Sequence, residues 1–378
     1  MRIDRRHFLR IAPAAALTLA GCAAPSASEA AQGLGEAHPL PLDYAGQFTL
    51  TEYAGGYVRI NITEAGGFLL VPEGAAVPDD LPEGLVVLQQ PVQSIYLVSS
   101  SVMDLFIALD GLDAVALSGT RAEGWYLPEA RAAMEAGKIA YAGKYSAPDY
   151  ERILAAGCGL AIENTMIYHT PEVKEQLEQL GIPVMVERSS YESGPLARME
   201  WIKLYGALLG KYEQAVQIFD EKLAQIATAL ESEPTGKTVA FFSVTTNDLV
   251  TVRKGGDYVA QMIEMAGGSY IFSDLAENGN SLSTMNLPLE TFYAEAKDAD
   301  VLIYNSTIEG VISTREQLIE KCPMLADFKA VQSGDVWCTA QSLFQQSMEL
   351  ADLIADMNLV FTQGDPDETV LHFLTRIC

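Results

Sequence analysis

The feature that most constrains the fold is a long apolar stripe in the second half of the chain. Trp201, Leu204, Leu208, Tyr212, Ala215, Phe219, Leu223, Ile226 and Leu230 follow one another at steps of three or four, which places them on one face of a helix. After Gly210 neither Pro nor Gly interrupts the run. A continuous helix over residues 196–231 would be a rod about 50 Å long at roughly 1.5 Å per residue. Such a rod need not belong to one globular body; it can brace two. The stripe is too short and isolated for a coiled-coil seam, which needs a sustained heptad partner.

On either side of the rod the pattern is α/β. Between residues 86 and 193 the short apolar runs "SIYLVS", "AVALSG", "KIAYAG", "GLAIEN" and "IPVMVER" alternate with helical periods such as "PDYERILAAG" and "TPEVKEQLEQLG". From 236 to 378 the alternation resumes in "TVAFFSV", "DVLIYNS" and "SLFQQSMELADLIADMNLVF". Strand–helix–strand spacing of this kind predicts parallel sheets covered by helices. Residues 42–85 alternate apolar and polar around paired glycines and predict a small antiparallel ribbon. The expected fold is therefore α/β: an N-terminal β-ribbon, two Rossmann-like lobes at 86–193 and 236–378, and one bridging helix at 194–232. A cleft would separate the lobes.

The N-terminus reads as an export and anchoring signal. Arg2, Arg5, Arg6 and Arg10 precede a ten-residue apolar stretch and then "LAGC", which ends at Cys22. Ten residues are too few to span a bilayer. "DRRHFLR" resembles a twin-arginine signal over residues 1–21, and "LAGC" resembles a lipobox with Cys22 as the lipidated residue. Residues 22–41, rich in Ala, Ser, Gly and Pro, read as a flexible tether. The chain has 24 Lys and Arg against 50 Asp and Glu, a formal charge of −26, and loss of the net +3 of residues 1–21 would leave −29. That charge argues against nucleic acid and against flat adhesion to anionic lipid. Of the remaining cysteines, Cys158 is expected buried and free, while Cys322, Cys338 and Cys378 leave a disulfide open.

Catalytic signatures are missing. The sequence has no Gly-x-Ser-x-Gly elbow, no phosphate-binding Gly-x-x-x-x-Gly-Lys loop and no His-Glu-x-x-His, and its four histidines are scattered, so a metal site is not expected. What recurs is a short device. "SAPDYERILAAGCGLAIEN" and "NLPLETFYAEAKDADVLIYNS" each place Ser or Asn, then Pro, then Glu in the first turn of a helix leading to an apolar strand. Capping by Ser146 or Asn286 and dipole pairing by Glu151 or Glu290 would explain it structurally.

These two segments, with "LEQLGIPVMV" and "IKLYGALLGKYEQA", resemble the substrate-binding lipoproteins of ABC importers for iron-siderophores, haem and cobalamin. The resemblance implies no enzyme activity and no resident cofactor, the expected cargo being a ferric siderophore first, with haem or cobalamin next. It implies a monomer working with a permease dimer and its ATPase, and carries permease docking onto Glu151 and Glu290. Pro148 precedes the first by three residues and Pro288 the second by two. Ligands in such a fold lie at loops after the strand carboxyl ends. Those loops offer Arg121, Trp125 and Tyr126; Lys144 and Tyr145; Met166, Tyr168 and His169; Arg188 and Tyr191; and, from the second lobe, Asn247, Arg253 and Phe344. Aromatic faces suit a macrocycle, and basic groups suit carboxylate or catecholate oxygens. The alternatives are a metallocofactor-assembly enzyme on a related two-lobed scaffold and a ligand-sensing lipoprotein.

Overall fold

A computed structural model describes residues 34–247, 249–275 and 284–378. The expected signal peptide and Cys22 lie outside the described residues. Among the described residues, no helix is long and apolar enough to cross a membrane.

Two α/β sheets carry the architecture. The first lobe is built on Ile95–Leu97, Val115–Ser118, Ala140–Tyr141, Leu160–Glu163 and Val184–Val186, all parallel, with Ile95–Leu97 central between Leu160–Glu163 and Val115–Ser118. These strands bury both faces and therefore read as continuous apolar runs. Residues Leu160 and Ile162 join the main core, and Ala161 joins a second cluster beneath the helices Tyr150–Ala155 and Pro171–Gln179. In the second lobe, Thr238–Val244, Val301–Tyr304 and Val336–Thr339 are parallel. Antiparallel strands Leu249–Arg253, Thr284–Pro288 and Leu374–Arg376 extend that sheet on both sides.

The N-terminal element is larger than the expected ribbon. It is a five-stranded sheet, Ala37–Leu40, Phe48–Tyr53, Val58–Ile62, Gly66–Val71 and Val86–Gln89, whose last pair is parallel. Residues 37–40, expected in the tether, form its edge strand, and residues 86–89, expected in the first lobe, close its other side. Two buried carboxylates fasten it to the connecting helices. Glu200 accepts N–H bonds from Asp43, Tyr44 and Ala45 at 2.9, 2.8 and 2.7 Å, and pairs with Lys203 at 2.7 Å. Glu192 accepts from Gly46, Gln47 and the Trp201 indole at 2.9, 3.0 and 2.9 Å.

The single rod expected over 196–231 is three helices: Pro195–Met199, Ile202–Leu208 and Tyr212–Glu231. Gly210 ends the second one with φ +69°, Lys211 N–H donating to the Gly206 carbonyl at 2.7 Å and Gly210 N–H to Ala207 at 3.1 Å, the left-handed helix stop that glycine permits. A Cβ on Gly206 would lie 2.5 Å from the Ala215 Cβ. Residues nine apart in one straight helix are separated by roughly 13.5 Å, so the chain folds back and the two helices pack face to face. The apolar period survives because both arms bury the same stripe.

Bridging is left to Tyr212–Glu231, about 30 Å long. Its start is tied to the first lobe by Lys211 Nζ, which donates to the carbonyls of Leu109 and Asp110 at 2.7 and 3.0 Å. Its middle is tied to the second lobe by Lys222, which pairs with Glu349 and, at 2.8 Å, with Asp352. One apolar core runs from the N-terminal sheet through these helices into the second lobe. Cys158, Cys322, Cys338 and Cys378 are all free thiols, and Cys158 is half-buried rather than buried.

Candidate functional site

Four strands of the first lobe and three of the second turn their carboxyl ends toward the same interlobe edge. From the first lobe come Ser99–Ser101, the loop 119–127, Asn164–Thr170 and Glu187–Tyr191; from the second come Thr245–Asn247, Asn305–Val311 and Ala340–Ser347. The lobes touch here through polar bonds. Gln345 accepts from Tyr126 N–H at 2.9 Å and donates to the Gly124 carbonyl at 2.8 Å. Ser347 Oγ donates to the Ser101 carbonyl at 2.8 Å, and Met348 N–H donates to Asp104 at 2.8 Å. Burial pushes the Asp104 carboxyl up to about 6.

Large apolar side chains stand exposed on these loops beside polar ones. Among the described residues nine large hydrophobic side chains are exposed, and six of them, Tyr126, Met166, Tyr168, Tyr191, Ile308 and Val311, stand on these loops. Asn164 accepts from Met166 N–H at 2.9 Å and so starts the tight turn Thr165–His169, which presents Met166, Tyr168 and His169 outward. Arg121 and Lys144 are exposed, and Asn247 is exposed in the second lobe's turn. Phe344 is half-buried, with the Arg253 guanidinium 4.7 Å over its ring.

Several expected ligand residues are held by contacts within the protein. Trp125 is buried, its indole donating to Ser118 Oγ at 3.2 Å, so it holds the loop 119–127 from beneath. Arg188 is buried: its guanidinium meets Glu64 at 3.0 Å, Gln47 at 3.3 Å and Tyr168 OH at 3.4 Å, and lies over the Tyr191 ring. It clamps the N-terminal sheet to the rim and reaches the cleft only by propping two tyrosines. Arg253 is buried too, 3.7 Å from Asp257. Tyr145 packs against the outer cluster of the first lobe.

The recurring Pro–Glu device takes a different form from the expected one. Asp149, not Ser146, caps Tyr150–Ala155, accepting from Arg152 N–H at 3.0 Å. Asn286 is a strand residue that accepts from Thr251 Oγ1 at 2.7 Å, and Pro288 is the residue before the helix Leu289–Ala296. Glu151 and Glu290 nevertheless both stand exposed in the first turn of their helices.

Two carboxylates escaped sequence reasoning. Glu187, at the end of Val184–Val186, is fully enclosed, accepts from Ser189 N–H at 2.6 Å and Ser99 Oγ at 3.2 Å, and is pushed up by burial. Glu163 ends the strand beside it, and neither of its oxygens has a hydrogen-bond partner among the described residues. Burial alone raises its carboxyl to about 8. The only signal for either is a glutamate closing an apolar strand. No group of three or more His, Cys, Asp or Glu among the described residues is placed to hold a metal ion.

Two α/β lobes on a shared core, with large hydrophobic side chains exposed on the loops after their strand carboxyl ends, have the build of a bilobed solute-binding protein. Residues 95–342 match the periplasmic binding protein family model, and the chain belongs to that family. Its proteins bind solutes and are not enzymes. An uncharacterised lipoprotein of Methanocaldococcus jannaschii is 26% identical over 303 residues, covering 75% of this chain and 69% of its own. Among solved structures, the periplasmic haem-binding protein HutB of Vibrio cholerae superposes with a TM-score of 0.58 at 17% identity, covering 72% of this chain and 99% of its own. A periplasmic haem-binding protein from Pseudomonas aeruginosa gives 0.56 at 18%, covering 76% and 99%. An Fe3+-hydroxamate transport protein from Saccharomonospora viridis gives 0.52 at 19%, covering 70% and 92%.

Proposed function

We propose that this chain is the capture component of an ABC importer, held at the outer face of the membrane by lipid on Cys22, and that it takes one metal chelate or macrocycle into the interlobe cleft. The observation that carries the reading is the placement of the exposed hydrophobics: two-thirds of them stand on loops at the cleft rim, where a large flat ligand would cover them. Glu151 and Glu290 then serve as separate docking charges, one per lobe, for a permease dimer with its ATPase. Ferric siderophores, haem and cobalamin are the ligands to compare. Tyr168 and His169 on one outward turn favour haem, since either side chain can ligate its iron. The haem-binding and hydroxamate-transport neighbours keep both haem and siderophore in the set.

An absorbance and thermal-shift screen with ferric siderophores, haem and cobalamins tests this. Binding of one of them at one equivalent, unchanged on recovery, supports the reading. Turnover of any ligand, or failure of all three classes to bind, refutes it.

A further inference from the structure

We propose that a pocket on the first lobe, built by Arg121 and Arg152 around the Tyr141 ring, is an oxyanion site that takes a carboxylate arm of the ligand. The occupant's identity rests on the reading above; the anion chemistry does not. The pocket holds about 520 Å³ and is lined by Arg121, Tyr141, Gly143, Asp149 and Arg152, with Ala147 and Pro148 completing the wall. That is room for a ligand arm rather than for a single water.

The two guanidiniums are placed, not free-swinging. Arg121 lies with its Cζ 4.1 Å from the Tyr141 ring centroid, a cation–π contact that fixes the plane of its donors. Arg152 donates to the Tyr141 carbonyl at 3.2 Å, so both arginines are anchored to one residue. Arg152 is paired with Asp149 at 3.4 Å, and that carboxylate also accepts the Arg152 N–H as the helix cap. Among the described residues Arg121 has no carboxylate within ion-pairing distance. The pocket therefore carries an uncompensated positive charge in a chain with 50 acidic and 24 basic side chains. Planar guanidinium forks bind carboxylates bidentately, which makes a carboxylate the fitting occupant.

Position connects the pocket to capture. Arg121 stands on the loop 119–127, whose Gly124 and Tyr126 are bonded to Gln345 of the opposite lobe. Arg152 follows Glu151 directly, so the pocket wall and the docking glutamate share one helical turn.

The test compares haem with its dimethyl ester, which lacks free carboxylates, on the full chain and on Arg121→Gln and Arg152→Gln; both arginines are exposed, so folding is preserved. Each substitution is expected to weaken haem about 10- to 100-fold, the range of one charge-assisted bond, and to leave the ester unchanged. Equal weakening of acid and ester, or of neither, overturns the proposal while leaving the cleft reading standing. Citrate provides the arm that needs no ligand in the cleft: it should shift the Arg121 and Arg152 Nε–Hε NMR signals saturably. Unmoved signals refute the site. Shifted signals in a protein that binds neither haem, siderophore nor cobalamin would uphold the site and refute the cleft reading instead.

Discussion

Replacing Glu163 by Gln should convert a pH-dependent fold into a less pH-dependent one. In the folded protein this carboxyl is enclosed without a hydrogen-bond partner among the described residues, and burial raises it from 4.5 to about 8. The folded state therefore keeps a proton that the unfolded chain loses above about pH 4.5, and stability falls as pH climbs from there to about 8. The slope approaches about 1.4 kcal/mol per pH unit, and the whole interval is on the order of 5 kcal/mol. Gln fills the same space and stays neutral. Urea unfolding of both proteins at about pH 5, 7 and 8.5 should give similar stabilities at the lowest pH and a widening advantage for Glu163→Gln above it. Other titrating groups cancel in the difference. Parallel stability curves would show that Glu163 is solvated or paired in solution, and the description of the strand end would be wrong.

Two other substitutions probe the brace and the docking turns. Gly206→Ala improves helix propensity, yet its methyl would meet the Ala215 Cβ at 2.5 Å, so thermal unfolding should report a loss of about 1–3 kcal/mol, where a straight rod would show a gain. Glu151→Ala combined with Glu290→Ala removes only exposed charges, so ligand affinity should stay within about twofold while uptake through the permease drops; a matching loss of affinity would place these glutamates in the pocket.

Much of the scaffold is visible in the sequence because parallel strands buried on both faces must be uninterrupted apolar runs. "GLAIEN" and "TVAFFSV" could hardly be anything else. The fold-back at Gly210 is less visible, because periodicity reports which face is buried and not whether the helix continues. The pair Gly206 and Gly210, one for close approach and one for the positive φ, was the available clue. Site residues were harder. Arg188 and Trp125 stand on the right loops, but their partners, Glu64 and Ser118, are chosen by tertiary packing that loop position does not encode. Residues 37–40 resemble a tether by composition and become a strand only because Phe48–Tyr53 offers them an edge.

The most direct test of the central claim is a crystal structure of the protein with whichever haem, siderophore or cobalamin it binds. One ligand molecule touching loops of both lobes, with Tyr168 on one side and Phe344 on the other, is the predicted result. A ligand seated wholly on one lobe, or away from the strand carboxyl ends, would contradict it.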